Sequence, residues 1–255
     1  MGNILELTDI TVDYSTPKGT LRAVEEVSMA IQPGEFISIV GPSGCGKSTL
    51  LSVMGGFLPA TSGSIHYKGK PLQGPSRNRG VVFQKPSLYP WLNVEQNVEF
   101  GLRMQGIPKE RRKQIVADKL TRVKLQSFGK MRSYELSGGM QQRVAIARIL
   151  ANDPDMLLMD EPFGALDILT REHIQEELLD LWKENHKTVV FITHSVEEAI
   201  YLSTSVYVMS PDSGHIIRKI DTPFSTQYRS QNSRKIKSLP EFVELREEVL
   251  SNIWT

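Results

Sequence analysis

What this sequence has little of narrows it before any motif does. It contains one cysteine, Cys45, which excludes a disulfide within the chain and fits a reducing compartment such as the cytoplasm. It has no surplus of either charge: 30 Lys and Arg stand against 29 Asp and Glu, a net charge of +1. So even a balance lacks the basic footprint that a phosphate backbone requires, and no nucleic-acid partner is expected. No window approaches the roughly 18 consecutive apolar residues of a membrane-spanning helix, so any link to a membrane must run through a partner. The first residues, Met1 to Glu6, show no basic region followed by an apolar run, and Glu6 stands where a myristoylation signal needs Ser or Thr. Neither export nor acylation is expected there. Internal repeats and low-complexity tracts are absent as well. What is present is 255 residues with 40% apolar composition, enough for a sizeable core in one large domain or two small ones.

The apolar residues are grouped. Glu35 to Val40 reads as a strand, followed by a glycine-bearing turn and a helical run from Ser48 to Phe57. A second buried strand, Met156 to Met159, ends in Asp160-Glu161, and a third, Thr188 to Thr193, ends at His194. Between them an amphipathic helix runs from Thr170 to Glu184. Apolar strands alternating with helices predict an α/β fold with a mostly parallel sheet covered on both faces. Ligands bind such sheets at the carboxyl ends of the strands, so the polar residues ending these strands are expected to converge. Pro86 to Asn152 differs, being helical in pattern without a convincing strand, and reads as an inserted helical segment. Its charge run, Lys109 to Lys113, is expected on a solvated helix face.

Three motifs carry chemistry. Gly41-Pro42-Ser43-Gly44-Cys45-Gly46-Lys47-Ser48-Thr49 matches the pattern of a glycine, four residues, then Gly-Lys-Ser/Thr. Chance supplies that pattern to roughly one chain of this length in a hundred, and its place between a strand and a helix lowers the odds further. Glycines let successive N–H groups curl around phosphates, and the helix N-terminus adds partial positive charge. Lys47 supplies a cation to the β and γ phosphates, and Ser48 a hydroxyl to Mg²⁺. This loop alone leaves kinases, GTPases and many ATPases open. Asp160, after an apolar strand, can hold Mg²⁺ through water, while Glu161 can polarise an attacking water. An Asp-Glu pair elsewhere is commonly a solvated strand end; the phosphate loop upstream favours the metal site. Finally, Leu136-Ser137-Gly138-Gly139-Met140 precedes a helical run with Ser137 placed as its N-cap. Its glycines expose N–H groups suited to an anion; alone, the motif reads equally as a capped helix with a flexible entry.

Taken in order, Tyr14, the loop at 41–49, Gln84, the motif at 136–140, Asp160-Glu161, Ala165-Leu166-Asp167 and His194 resemble the ATP-binding cassette (ABC) family over essentially the whole chain. The resemblance implies a single domain with a P-loop NTPase (RecA-like) core. It would carry an antiparallel β subdomain near the N-terminus, residues 1–85 and 153–255 as the nucleotide-binding core, and residues 86–152 as the helical subdomain. It implies a head-to-tail homodimer in which each ATP lies between the loop of one copy and Ser137, Gly138 and Gly139 of the other, with Met140 beside them. Tyr14 would stack on adenine, Gln84 would contact Mg²⁺ and the attacking water, Glu161 would act as base, His194 would hold the γ-phosphate, and Asp167 would bridge the two sites. Departures are Met140, where Gln is most usual, and Ser195, where Asp is frequent after the histidine; neither removes a phosphate ligand.

Gly80 to Gln84, Leu88 to Val94 and Asp160 to Asp167 resemble the nitrate, sulfonate and taurine importer group, and Ile236 to Leu250 is similar to the ending of taurine importer ATPases. The implied role is the ATPase of an importer at the cytoplasmic face of the inner membrane. It would work with integral membrane permease subunits and, through them, a solute-binding protein, the solute being taurine or another sulfonate. Nitrate or a thiamine-precursor-like solute are the alternatives. A soluble cassette protein of translation or repair would carry a second cassette or a long coiled coil, and neither is seen; a regulator that does not turn over would lack Glu161. The permease is expected to dock beside Gln84, on Lys85 to Trp91, where two prolines stiffen a segment bearing Leu88, Tyr89 and Trp91.

Overall fold

In the computed structural model, residues 2–17, 19–211, 214–227 and 233–253 are described. Two kinds of strand divide them. The strands β1 (Leu5–Thr16) and β2 (Gly19–Ile31) mix buried with exposed positions, as strands with one wet face do, and they pair antiparallel. With β4 (Ser62–Tyr67) and β5 (Lys70–Pro71) they form an antiparallel sheet in the order β2-β1-β4-β5. The other kind is short and buried at every position: β3 (Phe36–Val40), β7 (Met156–Asp160), β8 (Thr188–Ile192) and β9 (Ser205–Met209). Joined by β6 (Arg79–Val82) and β10 (Ile216–Asp221), they make a six-stranded sheet, β10-β9-β3-β8-β7-β6, parallel except for β10 at its edge.

The period of two in these strands sorts their side chains onto two faces. Phe36, Val40, Leu157, Met159, Val189 and Phe191 enter one apolar cluster, while Ile37, Ile39, Met156, Leu158, Val190 and Ile192 enter another. The second is closed by the antiparallel sheet and by α1 (Lys47–Gly55). The first is covered by α2 (Val94–Met104), α3 (Lys109–Arg122), α4 (Gly138–Ala151), α5 (Ile168–Asn185) and α6 (Val196–Leu202). The short α7 (Phe224–Gln227) and α8 (Ser233–Lys237) lead into α9 (Pro240–Ile253), which lies on α6 and β9 with Phe242 fully buried. Each fully buried side chain of this size contributes about 1.5–3 kcal/mol, so the sheet is a rigid base for the loops at its ends.

Helix boundaries follow local chemistry. The α1 helix starts at Lys47 and stops at Gly55 because Gly56 takes φ 79 and turns its N–H back onto Ser52 and Val53. Asn93 and Gln96 exchange side-chain and backbone bonds of 2.8 and 3.0 Å, a capping box that starts α2. The charge run on α3 is exposed at Lys109, Glu110, Arg111 and Lys113. Arg112 differs: it lies half-buried, its Nε 2.6 Å from Glu99 Oε1, and so ties α3 to α2.

Candidate active site

Four adjacent parallel strands, β3, β8, β7 and β6, open their carboxyl ends on one edge of the sheet. β3 runs into Gly41, β8 into Thr193-His194, β7 through Asp160 into Glu161, and β6 through Phe83 to Gln84. With neighbours about 4.8 Å apart, these four ends share one floor.

The loop after β3 is shaped by close packing. Gly46 has φ 98, and a Cβ there would meet the Ala23 carbonyl of β2 at 2.0 Å, so only glycine lets the backbone pass. The first turn of α1 carries no acidic residue, leaving its positive end open to an anion. Lys47 is buried, its Nζ donating to the carbonyls of Gly41 (2.8 Å) and Pro42 (2.7 Å) and lying 3.7 Å from Cys45 Sγ. Cys45 turns into the apolar cluster below the loop, so its thiol serves packing. Ser43 and Gly44 are exposed on the loop, between Pro42 and Cys45. Tyr14, on β1, is 39% exposed, and its hydroxyl lies 3.3 Å from Thr49 Oγ1 in α1, which puts the ring at the rim of the loop.

Two carboxylates follow β7 in different environments. Asp160 is buried and its Oδ1 has no hydrogen-bond partner. Burial pushes its carboxyl up from the ordinary value, and the charge of Glu161 adds to this, while the Ser48 hydroxyl and the Lys47 ammonium oppose it. A buried acceptor oxygen without a partner, beside a serine hydroxyl at a phosphate loop, is a hard-oxygen donor set that suits Mg²⁺. Glu161 has φ 46, a left-handed turn rare for a side chain other than glycine's, and its N–H donates to Ile192 O at 2.9 Å. Both its oxygens are engaged: His194 Nε2 lies 2.5 Å from Oε1, and Gln84 Nε2 donates to Oε2 at 2.9 Å. Strands β6, β7 and β8 thus bring Gln84, Glu161 and His194 into one hydrogen-bonded group beside Asp160.

The remaining candidates stand apart. Ser137 caps α4 by accepting from Met140 N at 3.3 Å. A Cβ on Gly138 would meet nothing within 4 Å, so that backbone is open, whereas one on Gly139 would lie 3.0 Å from the Ala165 carbonyl. The Met140 side chain packs against the larger apolar cluster. Asp167 is exposed and caps α5, accepting from Thr170 N at 3.0 Å; hydrogen bonds from Thr170 hold its carboxyl below the usual range. Among the described residues no hydrogen bond links the segment 137–140, or Asp167, with the phosphate loop or with Glu161. A further buried residue on no sequence motif is Gln142, whose Nε2 donates to Phe83 O at 3.1 Å, next to Gln84. A polar residue in an otherwise apolar helix face is the signal that marks it.

Beyond Gln84 the three apolar side chains separate. Leu88 is half-buried and packs against the larger apolar cluster. Tyr89 lines a groove of about 460 Å³ with Phe57, Phe83, Phe100, Arg79 and Arg148. Its ring lies 4.5 Å from Phe100 and under the Arg148 guanidinium at 5.4 Å. Trp91 stands at the edge, 67% exposed, 5.5 Å from the Tyr89 ring.

Known proteins share this arrangement. The family model of the ABC transporter matches residues 24–164. The taurine import ATP-binding protein TauB of Pelagibacter ubique is 48% identical over 96% of this chain and 93% of its own length. TauB of Burkholderia thailandensis is 51% identical over 92% of this chain and 91% of its own. A dimeric ATP-binding cassette, MJ0796, in a post-hydrolysis state bound to ADP and Pi, matches with a TM-score of 0.80 and 33% identity over 85% of this chain and 98% of that one. CbiO1 of Clostridium perfringens, part of the ABC transporter complex cbiONQ, matches with a TM-score of 0.75 and 29% identity over 97% of this chain and 100% of that one. Identity of this extent, on a fold that delivers a phosphate loop and a paired carboxylate to one sheet edge, means that the chain belongs to the ABC transporter family as one of its ATP-hydrolysing members.

Proposed function

We propose that the chain is the ATP-hydrolysing subunit of a taurine importer, working as a pair of identical copies beneath integral membrane permease subunits at the cytoplasmic face of the membrane. The observation that carries the catalytic part is Glu161, held by Gln84 on one oxygen and His194 on the other, beside the buried Asp160. The relatives named for taurine import support the cargo, and the dimeric cassette with ADP and Pi supports the pairing. Among the described residues no helix is long and apolar enough to cross a membrane.

In this reading residues 86–152 form the helical subdomain of one ATPase domain whose remainder binds nucleotide. The N–H groups of the loop from Gly41 to Thr49 and the α1 N-terminus receive the phosphates, Lys47 leaves the Gly41 and Pro42 carbonyls to meet the β and γ groups, and Tyr14 takes the adenine. Ser48, Asp160 and Gln84 would hold Mg²⁺, which neutralises phosphate charge when bound. Glu161 accepts a proton from the attacking water, while His194 and Gln84 fix the carboxylate in place. Ser137, Gly138 and Gly139, which make no hydrogen bond to the loop of their own copy, offer N–H groups to the nucleotide of the partner, with Met140 and Asp167 at the same interface. The permease docks in the groove lined by Tyr89 and Phe83 with Trp91 at its edge, and a solute-binding protein acts through that permease.

The test is Glu161→Gln, which keeps the side chain's shape and removes the base. ATP binding should persist, turnover should stop, and size-exclusion chromatography with MgATP should show an accumulated dimer. A variant that stays monomeric and still hydrolyses ATP refutes the shared site. Uptake of labelled taurine by cells carrying this chain with its permease and binding protein, set against nitrate and other sulfonates, decides the cargo.

A further inference from the structure

Glu198, in the short helix α6, is buried although the residues around it, Val196, Ala199, Ile200 and Leu202, are apolar. A carboxylate is costly in such a place unless it is fully engaged, and this one is. Its Oε2 accepts from Thr193 Oγ1 at 2.6 Å. The same Thr193 oxygen accepts from Ser195 N at 3.0 Å, and Ser195 Oγ accepts from Glu198 N at 3.3 Å. The carboxylate thus holds Thr193 directly and Ser195 through the Thr193 hydroxyl, one residue on each side of His194. The other oxygen, Oε1, faces α5: it accepts from Gln175 Nε2 at 3.1 Å and lies 3.8 Å from Arg171 Nε. Arg171 in turn donates from Nη2 to Leu166 O at 3.1 Å, immediately before Asp167, the residue that caps α5.

We propose that Glu198 is a positioning residue for turnover: by tying Thr193, and Ser195 through the Thr193 hydroxyl, to Gln175 and Arg171 of α5, it fixes the His194 imidazole against Glu161. Its link to turnover rests on the reading of His194 given above. The geometry also makes the alignment of His194 depend on the helix that follows Asp167, so a shift of α5 reaches the imidazole through one carboxylate rather than through general packing. Helix docking alone does not call for a charge here: α6 already buries Val196, Ala199, Ile200 and Leu202, and an alanine at 198 would continue that surface.

The test uses the full chain labelled with ¹⁵N at histidine, the His194 ring signal being identified by its loss in His194→Ala. Glu198→Gln and Thr193→Val should both move or broaden that signal. Both should lower kcat for MgATP by about tenfold or more, as a misplaced group does, with KM changed by less than about threefold. Thr193→Ser keeps the hydroxyl and should restore signal and rate. An unmoved His194 signal with wild-type kcat in folded Glu198→Gln overturns the proposal. So does a Thr193→Ser variant as impaired as Thr193→Val, which would assign the effect to packing; this pair decides the matter if Glu198→Gln does not fold. Wild-type turnover in His194→Ala is a different failure: it refutes the reading of the active site, while the ring signal in Glu198→Gln still decides whether Glu198 holds the imidazole.

Discussion

Asp160→Asn separates a carboxylate kept for a metal from one kept for stability. Asp160 is 8% exposed and its Oδ1 has no partner, so in the metal-free chain its charge is a burden. Its carboxyl is raised above 3.8, burial being the largest cause. An acid whose folded pKa is raised destabilises the fold once the pH exceeds that raised value, and it has no effect below its unfolded pKa, where both states are protonated. Asparagine mimics the neutral form, so the variant should be more stable than the wild type in metal-free buffer at neutral pH. That advantage should shrink as the pH falls through the raised pKa towards 3.8. Magnesium reverses the order. At a MgATP concentration of about a hundred times Kd the wild type gains about 2.7 kcal/mol, and at about 2–4 °C per kcal/mol this raises Tm by about 5–11 °C. A tenfold weaker site keeps about 1.4 kcal/mol of that gain, so the shift is halved. Thermal unfolding of both proteins, with ATP alone and with MgATP at several pH values, measures it. A variant less stable than wild type without metal, or one with an undiminished MgATP shift, refutes the assignment of Asp160 to the metal.

Lys47→Ala removes the cation nearest the loop carbonyls and should weaken ATP binding and abolish turnover; undiminished hydrolysis would move the phosphate site elsewhere. Trp91→Ala should leave ATP binding and Tm at wild-type values, since the ring is exposed, yet reduce co-purification with the permease from detergent-solubilised membranes. Tyr89→Ala should also spare ATP binding and reduce co-purification, but at a cost of about 0.5–1.5 kcal/mol in thermal unfolding, because its ring packs on Phe100. Arg148→Ala removes the bond to Ser87 O at 2.7 Å and the cation over Tyr89. It should spare the ATPase rate of the isolated chain and suppress stimulation by the permease, which activity assays with and without reconstituted permease distinguish.

The parts of the fold legible in the sequence are those where one local rule decides. β3, β7 and β8 are buried on both faces and so are written as nearly continuous apolar runs, and Ser137 caps its helix as its position predicts. Contacts set by register across the sheet are not legible in this way. That His194 and Gln84 each take a different oxygen of Glu161 depends on how β6, β7 and β8 are staggered, and no spacing in the chain encodes it. Nor does the spacing show that Leu88, beside Tyr89 and Trp91, lies half-buried against the larger apolar cluster. Glu198 carries no local signal at all: two glutamates open a short helix, and only the approach of α5 makes the second a buried acceptor.

The helix α4 joins what the sequence presents as separate motifs. Its fourteen residues extend about 21 Å at 1.5 Å per residue. At its start lie Ser137 and Gly138, the groups offered to the partner copy's nucleotide in the proposed reading. One turn on, Gln142 donates to the Phe83 carbonyl, and near the end Arg148 donates to the Ser87 carbonyl and covers the Tyr89 ring. The segment from Phe83 to Ser87, which contains Gln84, is therefore bonded at both ends to a single rigid element. A displacement of α4 caused by a nucleotide at Ser137 must carry both ends of that segment with it or break bonds of about 1 kcal/mol each, and a packed helix moves as a body before it deforms. Gln84 meets Glu161 from one side of this segment, and Tyr89 forms the groove on the other. In the proposed reading the state of the ATP site and the shape of the groove that would seat the permease both follow the position of one helix, which is why Arg148→Ala should uncouple them while leaving the catalytic group intact.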